Sequence, residues 1–117
     1  MKYDLYQIHL TDEQIDEVNA NTGKTPEFYI KYMDLTISPN FLKVLAARDM
    51  YSKVAVIKAD NLEQVYVIGN IGPESAITRL TRMKSVSVGD VVVDTYGDAY
   101  VCGSWGWQEV EGFMTDE

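Results

Sequence analysis

Apolar and polar residues alternate from Lys2 to Leu10, with Tyr3, Leu5, Gln7 and His9 on one side and Tyr6, Ile8 and Leu10 on the other. A period of two with aromatic and branched side chains predicts a strand. Thr11-Asp12-Glu13-Gln14 follows with capping-box spacing, and its acids favour a helix N-terminus. The helix expected over 12–20 is short, with Ile15, Val18 and Asn19 as a narrow buried face and Asn21-Thr22-Gly23 as its stop. Thr25-Pro26 and Ser38-Pro39 are two further start signals. Behind the first, Phe28, Tyr29, Tyr32 and Met33 fall at helical spacing, a stripe expected in the core. Behind the second, Phe41, Leu42, Leu45 and Ala46 mark another helical face, in an element running to about Met50. Residues 34–37 between them read as a turn or short strand.

The pattern shortens again at Val54–Lys58, a β-type run, before a capping box at Asp60-Asn61-Leu62-Glu63. Its helix should bury Leu62, Val65, Tyr66 and Ile68 and end at Gly69 in a left-handed conformation. Asn70-Ile71-Gly72-Pro73 is a turn, and 76–82 is expected to form a brief helix. Val91–Val93, a turn at Thr95-Tyr96-Gly97-Asp98, and Ala99–Cys102 describe an antiparallel hairpin. Residues 103–110 form a last extended piece, and the acidic tail 111–117 is expected to fray. With 117 residues, an apolar fraction of 46% and no linker or repeat, this predicts one α+β domain. Its small mixed sheet of about four strands packs against three to four short helices.

Charge sharpens the picture. Residues 1–34 carry seven acids and three bases, 35–84 four acids and seven bases, and 85–117 seven acids and no base. A base-free C-terminal third repels phosphate, so no direct nucleic-acid contact is expected on that face. The same charge would attract a basic partner, including a nucleic-acid-binding protein; the plainer alternative is solubility. No stretch approaches the roughly 20 apolar residues of a membrane span. Asp4 within an alternating N-terminus argues against a signal peptide, so a cytoplasmic location is expected.

Few residues carry obvious chemistry. A single cysteine, Cys102, excludes an internal disulfide, and with one histidine, His9, a zinc site lacks ligands. His9 reads as a strand residue. Nucleophile-elbow, Walker and Rossmann patterns are absent, so neither catalytic residues nor a cofactor are expected. Asp90, Asp94 and Asp98 recur every fourth residue, but an extended strand separates such positions by about 13 Å, which favours turn roles over a carboxylate site. Trp105 and Trp107, two apart, should share one face of an extended segment. They either fill the core or, with Tyr96 and Tyr100, build a contact surface flanked by Asp94, Asp98, Glu109 and Glu111. Gly69 and Gly72, with Arg79, Arg82 and Lys84 nearby, could alternatively form an anion-binding loop. The first glycine, however, closes a helix rather than opening one.

The run Met83-Lys84-Ser85-Val86-Ser87-Val88-Gly89-Asp90-Val91-Val92-Val93, followed by Tyr100-Val101 and Trp105-Gly106-Trp107-Gln108-Glu109-Val110, resembles the C-terminal hairpin of YodL-like domains and of small phage-encoded proteins. Residues 53–70 are similar to the strand–helix unit that precedes this hairpin in the phage proteins, so the likeness spans about half the chain. Tryptophan stands at both aromatic positions where phenylalanine is more usual. The resemblance implies a hairpin module over 83–110 and a bacteriophage accessory protein acting in the host bacterial cytoplasm. The expectation is a non-enzymatic protein that binds and modulates a host macromolecule, for takeover or counter-defence; a homodimer is compatible with it. The alternative is a protein that sequesters a nucleotide or other small molecule. A third, an unfamiliar carboxylate enzyme around Asp90 and Asp94, is the weakest.

Overall fold

Lys2–Ile8 forms a strand, β1, and this strand becomes the centre of the molecule. In the computed structural model, which describes residues 1–20 and 23–114, β1 pairs on one side with β2 (Tyr51–Lys58) and on the other with β4 (Val91–Val93). The sheet extends outward through β3 (Ile77–Arg79) next to β2, and through β5 (Ala99–Gly103) and β6 (Gly106–Glu109) beyond β4. All five pairings are antiparallel, in the order β3-β2-β1-β4-β5-β6. The fold is therefore α+β, but its sheet has six strands rather than four and is not mixed. Leu5 pairs with Ala55 while Tyr6 pairs with Lys53, so Val54 is an extra residue in a bulge that bends β2.

Alternation on β1 supplies both sides of the sheet. Tyr6 and Ile8 enter one core with Leu35, Val44, Tyr51, Val91, Val101 and Phe113. Tyr3 and Leu5 enter the other with Val54, Ile57, Val65, Ile68, Val86 and Val92. The first core is covered by α2 (Glu27–Ile37) and α3 (Phe41–Ala46), the second by α4 (Leu62–Asn70). Because helices cover both faces, the central strands are buried on both.

Several local expectations change with this packing. Thr11 caps α1 (Asp12–Asn19) in a full capping box, yet α1 buries no residue, and Ile15 is exposed. The two cores are closed by other helices, leaving its apolar face nothing to cover. The helix stop expected at Asn21 and Thr22 lies outside the described residues. Residues 34–37 are helical, not a turn: α2 continues to Ile37 and buries Leu35, while Tyr32 is only half-buried and Met33 is exposed. Its N-cap is Pro26, not Thr25, and Asn40, not Ser38, caps α3 through a bond from Lys43 N. The inward face of α3 is Val44 with Ala47 just beyond it, while Phe41 and Leu42 are exposed. The helix stops at Ala46, and a 3₁₀ turn follows at Arg48–Met50.

The cap of α4 is Asn61, one residue later than expected, with Gln64 reaching back to Asp60 N. That offset buries Val65, Ile68 and Gly69 and leaves Tyr66 exposed. Gly69 lies inside the helix rather than capping it, because Val86 packs where a Cβ would stand. In place of a helix over 76–82, a 3₁₀ turn at Glu74–Ala76 leads into β3, since Ile77 and Thr78 add a ladder to β2. The C-terminal segment is anchored rather than frayed at Phe113. That ring is buried edge-on against Tyr6 and Tyr51, with the Arg48 guanidinium 4.1 Å from its centroid. Residues 115–117 lie outside the described residues. Among the described residues no helix is long and apolar enough to cross a membrane.

Candidate partner-binding surface

The β4–β5 turn is built by Asp94. Its Oδ1 accepts hydrogen bonds from Tyr96 N (2.9 Å) and Asp98 N (3.0 Å), while Gly97 at φ +87° completes the reversal. The short polar side chain thus replaces missing backbone partners, and Tyr96 is left 80% exposed at the tip. Tyr100 on β5 lies opposite Glu109 on β6, and Cys102 lies opposite Trp107. Gly103 pairs with Gly106, so Ser104 and Trp105 form the two-residue turn between them. Here the expected geometry of the tryptophans fails: a turn, not a continuous strand, separates them. Trp105 is fully exposed at the hairpin tip, while Trp107 is half-buried against the second core.

Two adjoining grooves run between α4 and this hairpin. One, of about 570 Å³, is lined by Tyr3, Tyr100 and Trp107 together with Asp60, Glu63 and Asp94. The other, of about 500 Å³, lies between Tyr66 and Val67 of α4 and the Cys102–Trp107 segment. They meet at Glu63, Gly106 and Trp107, and neither is lined by Lys or Arg among the described residues. The electrostatics follow: burial raises the Tyr100 phenol above its ordinary value, and the carboxylates of Asp94, Asp98 and Glu109 push it further in the same direction. Tyr3 is raised first by burial and then by Asp94 and Asp60. Sequence reasoning found the hairpin half of this surface and missed Tyr3, Asp60 and Glu63. The acids at the start of α4 were legible only as helix-start residues, and their approach to the hairpin is a product of the tertiary fold.

The remaining candidates occupy other places. Asp90 is buried, and its Oδ2 accepts from Ser87 N and from Gln7 Nε2, each at 3.0 Å. Asp90 and Asp94 therefore serve separate hydrogen-bonded turns. Burial, then the Asp90 charge, pushes the Cys102 thiol up to about 11, which makes it a poor nucleophile at neutral pH. His9 lies just beyond β1, and its pKa is lowered by burial and then by Lys84 and Arg82. Among the described residues, no three His, Cys, Asp or Glu side chains are grouped to hold a metal ion.

Gly69, Gly72, Arg79 and Lys84 line a separate pocket of about 220 Å³, and Arg82 is not among its lining residues. Within it Arg79 is held by Glu74 through two bonds of 2.8 and 3.0 Å. The Lys84 ammonium lies 5.6 Å from the Tyr32 ring centroid and within 3.4 Å of the Ile8 carbonyl. The pocket also faces the C-terminal end of α4, where helix carbonyls carry partial negative charge.

The fold and the surface together define an antiparallel α+β protein with an acidic, aromatic groove. No model of a known protein family matches the chain, and no curated protein or solved structure shows significant similarity to it.

Proposed function

We propose that this chain is a non-enzymatic, acidic accessory protein of phage type that binds and modulates a host macromolecule in the bacterial cytoplasm. The contact surface is the β5–β6 hairpin with the adjoining grooves. The observation that carries the reading is Trp105, fully exposed at the tip of a short hairpin beside grooves that no Lys or Arg lines among the described residues. The indole stands beside Tyr66, Val67 and Trp107 rather than alone, and Trp is a frequent anchor at interface centres. Asp94, Asp98 and Glu109 lie toward the β4–β5 turn, at the other end of β5 from Trp105. With Glu111 their charge would speed encounter with a basic surface, such as that of a nucleic-acid-binding protein. The phage context rests on the hairpin resemblance.

The test is affinity capture from bacterial lysate at moderate salt, with mass spectrometry, comparing wild type with Trp105→Ala and Trp107→Ala. A basic partner retained by wild type, lost from Trp105→Ala and weakened by added salt is the expected result. Absence of any tryptophan-dependent partner would overturn the proposal.

The alternative, sequestration of a nucleotide or other small anion, draws on the convergence of Gly69, Gly72, Arg79 and Lys84 on one pocket. The Arg79–Glu74 pair and the α4 carbonyls oppose it electrostatically. Calorimetric titration with nucleoside phosphates, on wild type and Arg79→Ala, decides it.

A further inference from the structure

We infer that the groove between the start of α4 and the β5–β6 hairpin receives a lysine or arginine side chain from an exposed basic peptide segment of the partner. The inference rests on the acidic face being a contact surface and specifies what that face recognises. Tyr3, Tyr100 and Trp107 supply the rings, and Asp60, Glu63 and Asp94 the carboxylates. An organic cation gains from both, since aromatic faces attract positive charge and carboxylates pair with it. The methylene stem of such a side chain can lie on the apolar wall at Leu62.

Among the described residues the groove carboxylates form no ion pair within the chain, although Asp94 Oδ1 also accepts the hydrogen bonds of its turn. The ion pairs among the described residues involve Glu27, Asp34, Asp4 and Glu74. None involves Asp60, Glu63 or Asp94; the groove is also lined by Met1, whose terminal ammonium offsets part of their charge and leaves an excess of carboxylate beside the rings. Because the acids are spread around the groove and not grouped as a metal-ligating set, its shape suits an extended organic cation better than a compact metal ion. A second copy of this chain is a poor occupant, because each carries a net charge of −8 and would bring like charge to the groove.

The probe is a short labelled peptide, Gly-Ser-Arg-Gly-Arg-Ser-Gly, against the same peptide with citrulline in place of arginine. Binding is followed by fluorescence anisotropy and by the indole NMR signals. The arginine peptide is expected to bind about tenfold more tightly than its neutral counterpart, to shift the Trp107 indole signal, and to weaken with salt. Glu63→Gln and Asp94→Asn should each reduce affinity while keeping side-chain shape, and Trp107→Leu should reduce it further. Glu27→Gln, on α2 and outside the residues that line either groove, should leave peptide affinity unchanged. Equal binding of the two peptides, or indifference to both carboxylate variants, overturns the groove assignment. Peptide recognition without any tryptophan-dependent host partner instead leaves the groove standing and removes the accessory-protein proposal.

Discussion

Replacing Asp90 by asparagine should change how stability responds to pH, in a direction the interior dictates. Asp90 is 6% exposed and tied to Ser87 and Gln7. Gln7 is itself fully buried and clamps Lys84 through both its backbone N and O. Burial dominates and pushes the carboxyl up to about 6 from an ordinary 3.8, against the opposing hydrogen bonds from Ser87 and Gln7 and the charge of Lys84. The native state thus holds this proton more tightly than the unfolded chain does. Its contribution to stability is complete below the unfolded pKa and is lost as pH rises through about 6. A shift of about two units corresponds to ~3 kcal/mol. Asparagine keeps the shape and one acceptor oxygen and never ionises, so any packing or hydrogen-bond offset it introduces is independent of pH.

Urea unfolding followed by tryptophan fluorescence, for wild type and Asp90→Asn, measures the effect at intervals from about pH 4 to about pH 7. Other titrating groups cancel in the difference between the two proteins. That difference should move in favour of the variant by ~2 kcal/mol across the range, most of the full shift, since the lower end of the range already lies just above the unfolded pKa. Parallel stability curves, or a difference moving the other way, would refute the assignment of Asp90 as a buried acid strained by its own charge.

Three further outcomes are expected. Phe113→Ala should cost ~3–4 kcal/mol in chemical denaturation, because the ring is buried between Tyr6, Tyr51 and Arg48. Gly69→Ala should destabilise by ~1–3 kcal/mol through overlap with Val86, although alanine is normally the better helix former; thermal melting checks the sign. Trp105→Ala should leave stability within ~0.5 kcal/mol of wild type. It should also shift tryptophan emission to shorter wavelength, because the half-buried Trp107 is then the sole fluorophore of its kind.

Particular elements show where local reading succeeds. The β1 alternation, the Thr11–Gln14 capping box and the Asp94–Asp98 turn were legible because each depends on neighbours within a few residues. Reading failed where a distant partner chose among local options. Ile77–Arg79 carries β-branched residues but became a strand only because the edge of β2 was free to pair. Gly69 looked like a helix terminator, yet Val86 needed its missing side chain in the helix interior. Phe113, within an acidic tail, was drawn into the core by Tyr6 and Tyr51, from positions far earlier in the chain.

The same division runs through the candidate surface. Amino-acid order alone determined a base-free final third, two closely spaced indoles and the β4–β5 hairpin that precedes them, since charge and turn chemistry are properties of short segments. Only the tertiary structure decided that a two-residue turn would put Trp105 in water and Trp107 against the core, and that Asp60 and Glu63 would come to face Tyr100. Those placements come from sheet register and from seating α4 over the second core. Both minimise exposed apolar area and unpaired backbone over the whole chain at once, so no short stretch of residues specifies them.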